Sequence, residues 1–508
     1  MTNNNDVQTQ GTPIFDRLIL TAASGKQYDL APMLMQLNIY EDMFSPVLTG
    51  DITIIDSAGM FENAPITSNE KLTCLVYSWN YSKDNEPINF LHRTFDILSV
   101  TDIKQTNDFT KQYTLHFASP ELKKNETFRL SRGFTNTTIS NVVSKLLTND
   151  YDTDEPVGLG FPTDRYFSSI PQSAFVYENS REAWYQKSDE NDCVELFVEK
   201  TKYTEPVVSF PYMKCFDVIS WLAGRSLRFA AGRNGGTKNA AESANFVFFE
   251  NKRGFQFTAI ETLLESKDIN STKFVYGNAA QNKDLITNGG LKQRTTVTET
   301  INRLEIQNSY DTLYNIRSGM YASKLYTYDI TTGEIKEHDY DYVENFEKTE
   351  STQSGTDTGN FPMLAKNSDL SKKFLSNRLF ATISPSYAID TITSESTERN
   401  STAKQSSGIE EYLQKRQSQL SRLNNFRILF EIAGNTKHKV GDCVLVDIRH
   451  WNSPSAGVNV SDIEEESSKY YSGYYLLTSI RHSITQFEYK MFVEGVKDAY
   501  TTELTEME

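Results

Sequence analysis

The clearest periodicity lies near the C-terminal end of the chain. Phe426, Ile428, Phe430 and Ile432 alternate with Arg427, Leu429, Glu431 and Ala433, and Phe487, Tyr489, Met491 and Val493 alternate with Glu488, Lys490, Phe492 and Glu494. Apolar residues at a period of two lie on one face of a sheet, so both runs predict strands. Residues 443–448 and 473–480, rich in Val, Leu, Ile and Tyr, predict two more. Gly434-Asn435 and Gly441-Asp442 supply the turn residues between them. Four strands so closely spaced predict an antiparallel sheet over 425–498, curled into part of a barrel.

From the other end, residues 1–11 read as a flexible polar arm. Strands are then predicted at 17–21, 26–30, around Met35, Leu37 and Ile39, and at 50–56, 71–77, 93–100 and 113–117. With no long helix among them, 12–118 reads as a first antiparallel barrel or sandwich. The pattern changes at Pro120. Ile139, Val142, Val143, Leu146 and Leu147 form a helical stripe behind Thr137-Thr138, and Cys215, Val218, Ile219, Leu222 and Ala223 form another over 214–225. Strands at 246–250 and 255–259 flank a turn at Lys252-Arg253-Gly254, so 119–267 reads as a mixed α+β domain.

Over 268–424 the strand candidates are 295–297, 304–307 and 324–329, with Tyr340 and Tyr342 on an arm reaching outward. Two polar stretches, 349–360 and 393–408, carry too few apolar residues to offset the entropy of ordering and are expected to be mobile unless a partner holds them. A helix is predicted at about 410–423 whose thin stripe (Ile409, Leu413, Leu420, Leu423) points to packing on a neighbouring subunit. Residues 425–498 then close a second barrel, leaving 499–508 as a tail. The fold class is α+β, predominantly β, with long polar loops.

Length and composition narrow the classes. A chain of 508 residues divides into several domains, and 38% hydrophobic with 12% aromatic residues implies a core that leans on Tyr and Phe from short strands. A formal net charge of -16 argues against a free nucleic-acid binder, which shows a basic face. Cys74, Cys193, Cys215 and Cys443 form no Cys-x-x-Cys pair and read as small buried residues of a reducing compartment. The N-terminus has no signal-peptide pattern and no apolar run is long enough to span a bilayer, which places synthesis and assembly in the cytoplasm.

Chemistry is hard to find. The acidic residues cluster in polar loops instead of forming the raised-pKa carboxylate pair of a glycosidase. Asp150, Asp152 and Asp154 have calcium-loop spacing, but Glu155 stands where glycine is required and Phe161 where a bidentate acid is required. Gly232, Gly235 and Gly236 follow a helix instead of preceding one, the wrong order for a phosphate cradle. His92, His116, His338, His438, His450 and His482 show no metal-ligand spacing. No catalytic, cofactor or metal site is expected.

Three separated regions carry a resemblance, in matching order. The first is Ile39-Tyr40-Glu41-Asp42-Met43-Phe44-Ser45 followed by Leu48 to Asp56 through Gly50. The second is residues 216–223 with Phe246 to Glu250 and Gly254-Phe255. The third is Gly434-Asn435-Thr436, Val440-Gly441-Asp442-Cys443-Val444, Ser472-Gly473-Tyr474, Ile480-Arg481-His482-Ser483-Ile484 and Tyr489 to Phe492 before Lys497-Asp498. Together they resemble baseplate hub proteins of contractile-tailed bacteriophages, and more remotely the hub part of type VI secretion spike proteins.

That resemblance implies two tail-tube-like barrels per subunit and a homotrimer whose ring of six like domains joins the tail tube protein to a central spike protein, among other baseplate proteins in the virion. DNA would pass through without specific binding. It makes Tyr40, Glu41, Asp42, Phe44, Gly50, Gly434, Gly441, Asp442, Gly473 and His482 structural or interface candidates. Glu41 and Asp42 read equally well as solvated turn residues before Pro46, and His482 as a hydrogen-bonding residue within the barrel. Two features depart from the family: the polar loops and the region 151–205 look like additions. The alternatives are a tail-associated cell-wall-degrading enzyme with its site in 119–348, or the hub part of a type VI-like spike.

Overall fold

A computed structural model of the protein describes residues 11–148, 166–167, 181–201, 204–228, 244–265, 273–276, 300–355, 359–364, 370, 377–383, 409–450 and 466–504, less 64–65, 68, 79–90, 108, 189–191, 308–309, 330–332 and 437. In chain order the strands begin with β1 (Pro13–Thr21), β2 (Gln27–Asp29), β3 (Leu34–Asp42), β4 (Thr49–Asp56), β5 (Lys71–Ser78), β6 (Leu91–Asn107) and β7 (Thr110–Ala118). The middle of the chain adds β8 (Leu130–Thr138), β9 (Tyr166–Phe167), β10 (Arg181–Ser188), β11 (Asp192–Glu199), β12 (Thr204–Met213), β13 (Phe246–Asn251) and β14 (Gly254–Ala259). Then come β15 (Lys273–Tyr276), β16 (Ile301–Gln307), β17 (Ala322–Asp329), β18 (Ile335–Asp341), β19 (Asn377–Ile383), β20 (Arg427–Ala433), β21 (Cys443–His450), β22 (Glu466–Ser467), β23 (Gly473–Ile484) and β24 (Tyr489–Val496).

Fourteen of these strands make one sheet, whose main path is β16-β20-β24-β23-β3-β4-β7-β6-β5-β1-β2. Its first half comes from the opening of the chain and its second from the closing stretch. The halves repeat one another. β3, β4, β7, β6 and β5 are neighbours in that order, all antiparallel, and so are β16, β20, β24, β23 and β21. In both halves the fourth strand is long and uses its N-terminal part to hold the fifth, as β6 holds β5 and β23 holds β21. Residue identity hides this duplication, because a period-two pattern constrains which face is apolar and little else. The fold is predominantly β with helices, as the alternation predicts, while the pairings among the described residues trace an open path and close neither half into a barrel.

The halves meet where β3 pairs antiparallel with β23, from Asp42 opposite Ser479 to Leu37 opposite Ile484. Met43 N–H extends the seam by donating to Thr478 O at 2.9 Å. One apolar core runs beneath both halves and includes Leu37, Ile39, Ile52, Phe117, Ile428, Phe430, Ile480 and Val493. The opposite face is polar and its charges pair across strands. Arg427 lies 3.6 Å from Glu494, Lys490 lies 3.5 Å from Glu431, and Tyr40 Oη donates to Asp51 at 2.8 Å.

Beside this sheet stands a five-stranded one, β13-β14-β11-β10-β9, in which β11 pairs parallel with β14. Part of the region that looks like an addition is thus built into the middle sheet. Its core includes the stripes of the helices Ile139–Thr148 and Cys215–Ala223, packed with Phe246, Phe248, Phe255 and Phe257. Thr138 Oγ1 accepts from Asn141 N–H at 3.3 Å, the N-terminal cap the sequence predicts.

Three expectations are corrected. The helix Ile409–Leu423 lies against its own chain: Gln414 Nε2 donates to Ser323 O at 3.0 Å, Ser418 Oγ to Met320 O at 2.7 Å and Arg416 to Ala244 O at 2.9 Å. Its contact surface is wider than its apolar stripe because satisfied polar side chains complete it. Tyr340 and Tyr342 do not reach outward but are buried, near Arg422. In the polar stretch 349–360, Ser351, Thr352 and Gln353 are fully buried. Thr352 donates through N–H and Oγ1 to Asp498 Oδ1 at 2.7 and 2.9 Å, and Gln353 exchanges hydrogen bonds with the backbone of Tyr474 at 3.0 and 3.3 Å. The strand at 295–297, the calcium-like triplet, the glycine loop and 393–408 lie outside the described residues.

Candidate functional site

The seam gathers buried polar groups from three parts of the chain. Glu41, on the core face of β3, is fully buried opposite Ile480. Its Oε2 accepts from Val440 N–H at 3.0 Å and its Oε1 lies 3.3 Å from His482 Nε2. On the other side of that ring, His482 Nδ1 is 2.8 Å from Tyr489 Oη. A carboxylate buried in a sheet core is tolerated only when its oxygens are met in this way.

The third contributor is the turn of the β13–β14 hairpin. Asn251 Nδ2 donates to Val440 O at 3.1 Å, and Asn251 O accepts from Arg93 Nη2, on β6, at 3.2 Å. Glu250 Oε2 accepts from Leu48 N–H at 2.9 Å and Ser119 Oγ at 2.6 Å, with Arg93 Nε 3.8 Å from its Oε1. Burial pushes the Glu250 carboxyl up to about 8, against the pull of Arg93. Lys252 is buried beside Lys439, Glu41 and Asp442, and burial drives its ammonium down to about 7. Burial raises the Asp442 carboxyl, but its ion pair with Lys439 outweighs this and holds it below its ordinary value.

The sequence candidates fall around this node in different ways. Glu41 and His482 touch directly, which removes the solvated-turn reading for Glu41. Gly441, at φ 93°, packs a backbone without Cβ against Phe249 and Leu263, next to Asp442. Gly434 lies against the ring of Tyr489, and Gly50 against the ring of Phe117 and Asn38 O, so a Cβ would collide at either place. Asp42 caps the turn by accepting from Phe44 N–H at 2.8 Å. Tyr40 and Phe44 are exposed, Phe44 by 65%. Gly473 lies apart, against the Gln353 side chain.

Arg93, Asn251 and Lys252 were not among the candidates. The signal that points to them is a charged pair, Glu250 and Lys252, ending the apolar run 246–249. A second buried node joins Arg422 Nη2 to Asp498 Oδ2 at 2.7 Å. Beside it Lys497 donates to Ser472 O at 3.2 Å and lies over the rings of Phe426, Tyr475 and Tyr500. Burial lowers its ammonium to about 7. Among the described residues no cluster of His, Cys, Asp and Glu could hold a metal ion, and no helix is long and apolar enough to cross a membrane. At the seam these side chains tie the two sheet halves together.

No family model matches the chain, and no curated protein does. Solved structures similar to it include tail and secretion proteins. A tail protein from Neisseria meningitidis MC58 is 10% identical, with 95% of this chain and 96% of that one covered at a TM-score of 0.42. A 43 kDa tail protein of prophage MuSo2 from Shewanella oneidensis is 10% identical, with 95% and 98% covered at 0.43. An E. coli component of the type VI secretion system is 8% identical, with 94% and 76% covered at 0.37.

Proposed function

We propose that the chain is a structural hub subunit of a phage contractile tail, acting by assembly and not by turnover. The observation that carries this reading is the duplicated half-sheet joined through β3 and β23, because the same junction can be made once more between copies. In the repeat β3 corresponds to β16 and β23 to β6. Among the described residues, β16 pairs along its main length with β20 alone, and residues 98–107 of β6 with β7 alone. Both are exposed along most of these stretches, with Leu98, Ile103 and Ile306 among the exposed apolar side chains. An unpaired edge of this kind is a template for strand addition.

A head-to-tail contact closes into a ring when its rotation allows, and three copies would give six like half-sheets. Such a ring suits a baseplate position between a sixfold tail tube and a threefold spike, with a bore for DNA. The net charge of -16 would then keep a polyanion from sticking. Carrying the register of Tyr40 opposite Arg481 onto the free edges pairs Thr101 of one copy with Gln307 of the next. Thr101→Cys combined with Gln307→Cys should give disulfide-linked trimers on oxidation and a native mass of three copies. A chain that stays monomeric alone and with candidate spike and tube proteins would overturn the reading. Hydrolysis of purified peptidoglycan by the isolated protein would replace it with the cell-wall enzyme.

A further inference from the structure

We propose that the turn of the β13–β14 hairpin is a clasp on the seam, so that the state of the five-stranded sheet controls whether the two halves of the large sheet stay docked. The β3–β23 contact is short, running from Leu37 to Asp42 on one side and from Ser479 to Ile484 on the other, with the Met43–Thr478 hydrogen bond beyond it. Its core face buries Glu41 and His482, which are satisfied only while the Val440 backbone and Tyr489 are in place. Val440 is held in turn by Asn251, whose own carbonyl is tied to Arg93. A continuous path of hydrogen bonds therefore runs from β6 through the hairpin turn to β3, β23 and β24. Withdrawing the turn would leave Val440 O without the Asn251 amide and remove two donors from buried Glu250, on opposite sides of the seam.

Both sides of the seam are thus stabilised by one short segment that belongs to neither. Each end of the coupling acts on the other, since a linkage between two equilibria is reciprocal. A pull on the middle sheet would loosen the seam, and an open seam would release the hairpin. This clasp concerns a single copy and does not rest on the ring.

The test is hydrogen–deuterium exchange on the full chain carrying Asn251→Ala, with the milder Asn251→Ser in case the first fails to fold. Exchange of the amides in β3 and β23 should rise by about tenfold or more, as expected for loss of a buried hydrogen bond, while β5 stays as slow as before. The added pair Tyr40→Cys and Arg481→Cys, which face each other across the seam, should abolish the rise when oxidised and not when reduced. Unchanged seam exchange in both Asn251 variants, a rise spread evenly over the chain, or a rise that survives the disulfide would each overturn the clasp. Loss of the trimer alone would count against the ring and leave the clasp standing.

Discussion

The two halves of the large sheet share a strand order and differ in how they are made. The first takes β3 to β7 from one continuous stretch of chain, while the second collects β16, β20, β21, β23 and β24 across a long interval that also holds the three-stranded sheet β18-β17-β19 and the helix Ile409–Leu423. Core positions in the repeat are alike and apolar, as Ile52 and Leu115 match Phe430 and Val493. The unlike residues, Glu41 and His482, sit where the halves touch. The common frame thus sets which strands are neighbours within a half, and a few unshared polar groups set which edges meet between halves. Buried polar contacts are best attested in this role of choosing a register.

The most direct way to break the comparison is Glu41→Ala. It strips a partner from the buried Val440 N–H and from His482, and should cost about 3–5 kcal/mol, read as a shift in the urea midpoint. Ile306→Ala on the free edge β16 is the contrasting arm and should stay within about 0.5 kcal/mol in a monomer. Equal losses in the two variants would end the claim that the seam is special.

Gly50→Ala and Gly434→Ala put a Cβ into the rings of Phe117 and Tyr489, one in each half, and should each cost about 1–3 kcal/mol by overpacking. If only one half suffers, the repeat is less symmetric in packing than in strand order. Thermal unfolding of both variants decides between these outcomes.

A smaller effect is resolved by pH. The ammonium of Lys252 has a folded pKa of about 7, below its ordinary 10.5, so the unfolded chain binds more protons between those values. Stability from this group therefore rises as pH climbs from 7 to 10.5, and its penalty is complete below 7. Lys252→Met should raise stability at pH 6 and flatten the rise, leaving the similar slope of Lys497 in place. Glu250, shifted up to about 8 from 4.5, works in the opposite sense: its contribution is full below 4.5 and is lost as pH rises through 8. Denaturant midpoints measured from pH 5 to 10 separate the two. Smallest of all is Arg427→Ala on the polar face, expected to cost less than about 1 kcal/mol and less still at high salt.

Much of the strand content was legible because alternation is a local property. Residues 50–56, 246–250 and 443–448 each announce a strand without knowledge of what lies beside it. The seam was not legible, since nothing local tells Ile39 that its partner across the junction is His482. Glu41 illustrates the limit further. Next to Asp42 and Phe44 it reads as a turn residue, and only the loop at Val440 turns it into a core residue. Ser351 to Gln353 escaped for the opposite reason: composition measures apolar content, whereas these residues are buried through hydrogen bonds to Asp498 and Tyr474.

On the face turned away from the core, each cation of the cross-strand pairs has an anion within 4 Å, Arg427 beside Glu494 and Lys490 beside Glu431. Opposite charges held that close act as small dipoles, and their combined field fades over little more than the pair's own length. Were this face to line the bore of the proposed ring, a long charged polymer sliding over these pairs would feel ripples instead of a steady push or pull.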